Sequence, residues 1–272
     1  MSALSFRNIS KVYGQNTEEA VALLGEGVPS AEIFNRTGCQ VGLRHIDLDI
    51  PEGGIFCIIG LSGSGKSTLV RHVNRLIEPS CGEIWACDTN VTALDDAGLR
   101  HFRQERVSMV FQHFGLLPHL TVLENACFAL RVRGLPESEQ RERASHWLNE
   151  MELGDQLHTY PEHLSGGMRQ RVGLARALAA NTDIILMDEA FSALDPLIRI
   201  RLQDLVLSLQ QRLNKTILFI THDIDEALKM GNRIAILNAG ELVQAGTPCE
   251  LVEQPASDYV AEFMASARTP CR

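Results

Sequence analysis

The sequence contains no apolar run that approaches the length of a membrane-spanning helix, and no basic segment near its N-terminus leads into an apolar stretch. Both absences predict a soluble protein that is not secreted. The 272 residues carry a formal net charge of −9, which argues against general electrostatic binding of nucleic acid. No nucleic-acid partner is therefore expected.

Paired metal-binding or disulfide-forming cysteines are also missing. The seven cysteines are odd in number and irregularly spaced, and none of them forms a Cys-x-x-Cys pair. This pattern excludes a zinc signature and a disulfide framework, and it fits a reducing cytoplasm. The length allows one elaborated α/β domain or two small ones.

A glycine-rich stretch is the most informative segment present. It reads Gly60-Leu-Ser-Gly-Ser-Gly-Lys-Ser-Thr68, after an apolar run at 55–59 and before a helical pattern at 69–76. Strand, glycine loop and helix form the usual context of a phosphate-binding loop. Backbone N–H groups would surround an anion, Lys66 would approach the β- and γ-phosphates, and Ser67 could place its hydroxyl on Mg²⁺. An ordinary glycine turn before a helix is the alternative.

Polar side chains follow three apolar strand patterns. Gln112 follows residues 107–111, Asp188 and Glu189 follow residues 184–187, and His222 ends the segment that begins at residue 216. Ligands of α/β proteins bind at the carboxyl ends of strands, so Gln112 could reach Mg²⁺ or water and His222 could contact a phosphate. Asp188 suits a Mg²⁺ ligand and Glu189 a water-orienting base. A loop amide, solvated acids and a structural histidine are the alternatives.

A second pair of glycines opens an apolar, Ala-rich helical pattern at Leu164-Ser-Gly-Gly-Met-Arg-Gln-Arg171. It could be a loose turn, or an anion site formed by the Ser165 hydroxyl and the N–H groups of Gly166 and Gly167. Two phosphate sites with one loop lysine suggest that this second site serves a neighbouring chain's nucleotide. Tyr13, after an alternating strand, either covers a sheet edge or forms a platform for a base.

In their order and spacing, these motifs resemble those of ABC transporter ATPases. The resemblance covers nearly the whole chain and comprises the Walker A, Q-loop, signature, Walker B, D-loop and switch-histidine motifs, at Gly60–Thr68, Gln112, Leu164–Arg171, Ile184–Glu189, Ser192–Asp195 and His222. It implies an α/β P-loop NTPase core with a mostly parallel sheet, an N-terminal antiparallel β subdomain and an inserted α-helical subdomain. We expect one domain over 1–265, with the helical subdomain at about 113–179, and a short tail at 266–272.

The resemblance also implies the site. ATP and Mg²⁺ are the expected cofactors, and Tyr13 matches the aromatic residue that the family stacks on adenine. The catalytic residues would be Glu189, His222, Gln112 and Lys66, and the metal ligands Ser67, Gln112 and Asp188. Nucleotide contacts would come from Tyr13, Gly60, Ser62, Gly63, Ser64, Gly65, Lys66, Ser67, Thr68, Ser165, Gly166, Gly167 and Asp195.

Finer features resemble one branch of this family, the ATPase subunits of importers for glycine betaine, proline betaine, choline or, in some members, histidine. The features are a two-helix insertion at about 16–43, Asn74-Arg-Leu-Ile-Glu-Pro79 and Asp188-Glu-Ala-Phe-Ser-Ala-Leu-Asp-Pro196. Thr17 and Ser30 are the predicted caps of the two inserted helices. Many betaine-type members continue into a paired regulatory CBS domain, whereas this sequence ends soon after Phe263, so no such domain is expected.

This branch implies a head-to-tail homodimer on the cytoplasmic face of the bacterial inner membrane. Its partners would be transmembrane permease subunits and, indirectly, an extracytoplasmic solute-binding protein. An ATPase of a related amino-acid importer is one alternative, and a non-transport ABC ATPase is another. An unrelated P-loop kinase or GTPase would leave Ser165, Gly166, Gly167 and His222 unexplained.

Overall fold

The computed structural model describes residues 2–267, and the chain forms two compact units. The first comprises the residues up to 99 and from 220 onward, and the second comprises residues 100–219. The single domain over 1–265 and the helical subdomain over 113–179 stay predictions. Of the predicted tail at 266–272, residues 268–272 lie outside the described part of the chain.

An antiparallel sheet in the first unit corresponds to the predicted N-terminal β subdomain. Strand β1 (Ser2–Tyr13) pairs with β2 (Gln40–Pro51) and with β4 (Cys81–Ala86), and β4 pairs with β5 (Thr89–Asn90). The strand order is β2-β1-β4-β5. Alternating residues of β2 are buried, as the alternation over 45–50 predicts.

The first unit also holds the strand that precedes the glycine loop. Strand β3 (Gly54–Ile59) pairs in parallel with β9 (Arg233–Asn238), which pairs antiparallel with β10 (Glu241–Gly246). Residues 55–59 of β3 are all buried, because a strand covered on both faces needs a continuous apolar run.

Two helices lie between β1 and β2, where the sequence predicts an insertion. They are α1 (Thr17–Gly25) and α2 (Ser30–Thr37). Thr17 and Ser30, the expected caps, are instead the first helical residues, and Gly38 ends α2 with a φ of 71°. Both helices cover one apolar cluster, formed by Val12, Ala20, Leu24, Ile33 and Cys39.

The remaining α-helices all come after β3 in the sequence. They are α3 (Lys66–Val73), α4 (Asp96–Glu105), α5 (Val122–Val132), α6 (Glu137–Glu150), α7 (Gly166–Ala179), α8 (Pro196–Leu213), α9 (Ile224–Met230), α10 (Pro248–Glu253) and α11 (Asp258–Ala265). Among residues 2–267, none of the helices has the length and apolar character that crossing a membrane requires.

The second unit contains three strands, three mutually packed helices and the long helix α8. Strands β6 (Val107–Val110), β7 (Ile184–Asp188) and β8 (Thr216–Ile220) occur in the order β8-β7-β6. Strands β6 and β7 run parallel, so their carboxyl ends lie at the same edge. Helices α5, α6 and α7 pack against one another, and a capping box of Thr121 and Glu124 begins α5.

The Arg133 side chain links several elements of the second unit by hydrogen bonds. Its side chain is 8% exposed and lies 3.4 Å from the Glu105 carboxylate. Its Nε donates to the Gln104 carbonyl and its Nη1 to the Ala180 carbonyl, each at 2.6 Å, and its Nη2 also donates to the Gln104 carbonyl. The guanidinium therefore satisfies carbonyls at the ends of α4 and α7.

We expect Arg133→Ala to lower the free energy of unfolding by about 3 kcal/mol, since it leaves buried carbonyls without donors. Arg133→Lys should recover less than half of this loss, because an ammonium lacks the planar fork. Arg141→Ala is the control, since the Arg141 side chain is 60% exposed in its pair with Glu137. Urea unfolding that shows equal losses for Arg133→Ala and Arg141→Ala would contradict the expectation.

Candidate functional site

The loop between β3 and α3 depends on two glycines for its path. Gly60 and Gly65 have φ angles of 153° and 96°. A Cβ on Gly60 would lie 2.1 Å from the Leu237 carbonyl oxygen, and one on Gly65 would lie 2.8 Å from the Gly42 carbonyl oxygen. Backbone conformation and close backbone contact both exclude side chains here. The predicted glycine loop is therefore a tightly constrained turn at the N-terminus of a helix.

Lys66 is the first residue of α3, and its side chain folds back onto this loop. The residue is 4% exposed, and its Nζ donates to the carbonyl oxygens of Gly60 and Leu61 at 2.9 Å each. The Lys66 ammonium therefore adds a positive charge at the N-terminus of α3. Ser67 and Thr68 follow in the first turn, where helix N–H groups and the helix dipole also favour an anion. This geometry fits the phosphates of a nucleotide.

Tyr13 lies beside the same helix. Its hydroxyl is 3.1 Å from Thr68 Oγ1, and the residue is 40% exposed. Its ring covers Gly42, where a Cβ would lie 2.7 Å from Tyr13 Cε2. An exposed ring next to the glycine loop agrees with a base platform, although the sheet-edge role is also satisfied.

His222 belongs to the first unit and lies two residues after the end of β8. The preceding Thr221 N–H donates to the Ile58 carbonyl at 3.2 Å, two residues before Gly60. His222 itself is exposed, and Asp223 then caps α9 by accepting from the Glu226 N–H at 3.2 Å. The structure thus brings His222 to the strand end from which the glycine loop begins.

In the second unit, two predicted residues meet at the carboxyl ends of β6 and β7. Gln112 Nε2 donates to Glu189 Oε2 at 3.3 Å. Asp188, the last residue of β7, is 1% exposed. The parallel pairing of β6 and β7 explains this meeting, because it aligns the two strand ends. This strand edge therefore carries amide and carboxylate oxygens, the type of ligand that Mg²⁺ prefers.

The second glycine motif begins α7 as the sequence predicts. Ser165 caps the helix, and its Oγ accepts from the Met168 N–H at 3.3 Å. The two glycines differ in their surroundings. A Cβ on Gly167 would lie 2.7 Å from Ile198 Cγ2, whereas one on Gly166 would meet nothing closer than 3.8 Å. Packing against α8 therefore requires a glycine at Gly167 but not at Gly166.

Asp195, a predicted nucleotide contact, has a structural role in this chain. It caps α8, and its Oδ1 accepts from the Ile198 N–H at 3.0 Å. A contact with nucleotide stays a prediction for this residue.

Two cations that the motifs do not indicate lie at or near predicted site residues. Lys11 Nζ lies 5.1 Å from the centre of the Tyr13 ring, and the two-residue spacing on β1 could have shown that they share a face. Arg176 Nη1 donates to the Gly115 carbonyl at 2.6 Å and its Nη2 to the Phe114 carbonyl at 3.3 Å, just after Gln112. Burial lowers the pKa of Arg176. No local signal indicates this contact, which joins residues about sixty positions apart.

Solved structures and curated proteins resemble this chain. A dimeric ATP-binding cassette in a post-hydrolysis state, bound to ADP and Pi, matches with a TM-score of 0.76 and 33% identity over 90% of this chain and 98% of that one. The glycine betaine/proline betaine transport system ATP-binding protein ProV of Escherichia coli (strain K12) is 49% identical over 96% of this chain and 65% of its own length. The trimethylamine N-oxide transport system ATP-binding protein TmoW of Pelagibacter ubique is 41% identical over 94% of this chain and 75% of its own length.

The chain spans 62 to 66% of the length of several glycine betaine relatives that it matches. The solved cassette confirms the predicted α/β P-loop ATPase fold. The family described as ABC transporter matches residues 43–192, which include the glycine loop, Gln112, the second glycine motif and Glu189. The chain therefore belongs to the ABC transporter family, as one of its ATP-binding cassettes.

Proposed function

We propose that this chain binds ATP with Mg²⁺ and hydrolyses the ATP to power an importer of a quaternary ammonium solute, such as glycine betaine, proline betaine or choline. The glycine-dependent loop that leads into α3, with the Lys66 ammonium hydrogen-bonded to it, carries the proposal, because helix N–H groups and a lysine beside such a loop form a phosphate-binding site. Membership of the ABC transporter family and the likeness to betaine transport proteins support the choice of reaction and of solute.

Nucleotide binding would involve the glycine loop and the aromatic ring beside it. Lys66 and the N–H groups of residues 60–68 would hold the phosphates, and Tyr13 would stack on the base. Ser67, Gln112 and Asp188 provide the oxygen donors that would hold Mg²⁺ together with phosphate oxygens. When bound, Mg²⁺ neutralises charge on the phosphates.

For hydrolysis, Glu189 would orient the attacking water and accept its proton. The Gln112 amide restrains the carboxylate through its hydrogen bond to Oε2. His222 would donate a hydrogen bond to the γ-phosphate and so stabilise charge as the bond breaks. Glu189 and His222 thus have separate roles in a single displacement.

Assembly would pair two copies of the chain head to tail. Ser165, Gly166, Gly167 and Asp195 of one copy would contact the nucleotide held by the glycine loop of the other. The homodimer would act peripherally at the cytoplasmic face of a bacterial inner membrane, on transmembrane permease subunits that receive solute from an extracytoplasmic binding protein.

Glu189→Gln should lower kcat by at least about 100-fold and leave the Kd for ATP within a few fold, because shape is kept while charge and basicity are lost. Lys66→Ala should weaken ATP binding itself. Phosphate release and titration with a fluorescent ATP analogue measure both effects. Near-normal turnover by Glu189→Gln would remove Glu189 from the proposed mechanism.

ATP should hold two Glu189→Gln chains together, and an added Gly166→Asp should abolish this dimer by placing a carboxylate against the γ-phosphate. Gly166→Ala is the matched control, because its Cβ would meet Leu194 Cδ2 and Phe114 Cζ only at 3.8 Å. Gly167 is unsuitable, since any side chain there would collide with Ile198. Light scattering after gel filtration with ATP is the measurement, and a persistent Gly166→Asp dimer would refute the shared site.

Deleting the gene in a host whose other uptake systems for the test solutes have been removed should abolish import of at least one quaternary ammonium solute. The wild-type gene should restore import, and Glu189→Gln should fail to do so. Radiolabelled glycine betaine, proline betaine, choline and histidine are the test solutes. Loss of histidine import alone would favour the amino-acid importer, and unchanged import of all four would contradict both assignments.

A further inference from the structure

Glu189 has an unusual backbone conformation for its residue type. Its φ is 46°, in the left-handed region, where the Cβ of a non-glycine residue crowds the backbone. Nine other non-glycine residues in the described part of the chain also have a positive φ, several of them in turns. Such a conformation persists when surrounding contacts enforce it, and it clusters at active sites. The contacts that enforce it at Glu189 are therefore of functional interest.

Ser192 supplies two of these contacts. The Glu189 carbonyl oxygen accepts a hydrogen bond from Ser192 Oγ at 2.9 Å and another from the Ser192 N–H at 3.2 Å. Any residue type except proline could form the N–H bond. The hydroxyl bond needs a side chain with a short donor, so it is the part of the tether that depends on the identity of residue 192.

The intervening residues anchor this turn in the core. Phe191 is 2% exposed, and the centre of its ring lies 5.6 Å from that of Phe219. On the other side of Glu189, the buried Asp188 ends β7. The Glu189 backbone thus lies between a strand and a core aromatic residue. It can move little without breaking its hydrogen bonds to Ser192.

A further contact fixes Ser192 itself. Arg199 Nη2, on the first turns of α8, donates to the Leu194 carbonyl at 3.2 Å and to the Ser192 carbonyl at 3.4 Å. The hydroxyl that holds Glu189 therefore belongs to a segment that is attached to a long helix. Any shift of this segment would be passed to the Glu189 backbone.

We propose that the Ser192 hydroxyl is a positioning group for Glu189. It holds the left-handed backbone and so aims the carboxylate, whose Oε2 accepts from Gln112 Nε2 at 3.3 Å. Without the hydroxyl, the backbone of Glu189 relaxes toward a common conformation and carries its carboxylate away from the reacting water. This inference rests on the proposed function, in which Glu189 orients that water.

The test compares Ser192→Ala, Ser192→Thr and a matched control in the full chain. Ser192→Ala should lower kcat by roughly 10-fold, since small misplacements of a catalytic group are costly, and it should leave the KM for ATP within about twofold. Ser192→Thr, which keeps a hydroxyl, should restore kcat to within about threefold of the wild type. In the control, Ser266→Ala, the Ser266 hydroxyl likewise donates to the carbonyl three residues earlier, that of Phe263, at 2.7 Å.

Ser266→Ala should leave kcat unchanged, and all three variants should keep the wild-type melting temperature and the wild-type Kd for a fluorescent ATP analogue. The positioning role is overturned if Ser192→Ala turns over at the wild-type rate, if Ser192→Thr is as slow as Ser192→Ala, or if ATP binding falls as much as kcat. Glu189→Gln, assayed in parallel, separates the two hypotheses. An active Glu189→Gln removes Glu189 from the proposed mechanism, whereas an inactive Glu189→Gln beside a fully active Ser192→Ala refutes only the positioning role.

Discussion

The burial of the Lys66 ammonium is the interaction on which the first unit depends. Two carbonyls of the glycine loop accept from Nζ, and they can do so because the loop passes close to the backbone at Leu237 and at Gly42. Only glycine permits these approaches, at Gly60 and Gly65. The loop, the lysine and the start of α3 thus form one unit of structure, and the N–H groups and helix dipole at this end of α3 favour an anionic ligand.

In the second unit, the positions of the acidic side chains depend on strand pairing. Parallel pairing of β6 and β7 fixes where the strands end, and Gln112 and Glu189 meet there. The left-handed backbone of Glu189 and the Ser192 tether then set the direction of the side chain. Strand register thus determines where Glu189 lies, and the turn after the strand determines the direction of its side chain.

Much of the fold and of the candidate site could be predicted from local sequence pattern. The apolar run 55–59, the glycine loop and the helix after it follow from composition and periodicity, as do the alternating β2 and the strand that ends in Asp188. Helix boundaries were less exact. Asn16 and Pro29, not Thr17 and Ser30, occupy the N-cap positions of α1 and α2, because several neighbouring residues can begin a helix and packing of Ala20, Leu24 and Ile33 decides among them.

Residue order and short-range pattern identify the chemical groups of the site: a loop lysine, an amide, two acids, a histidine and a second glycine pair. The packed structure distinguished Gly167, where a Cβ would lie 2.7 Å from Ile198 Cγ2, from Gly166, which has room for a side chain. It also showed that Asp195 caps α8, that Arg176 holds the segment after Gln112, and that Lys11 lies over Tyr13. The physical reason is that short-range pattern encodes backbone conformation and burial, whereas contacts between residues distant in sequence depend on how the packed elements are aligned.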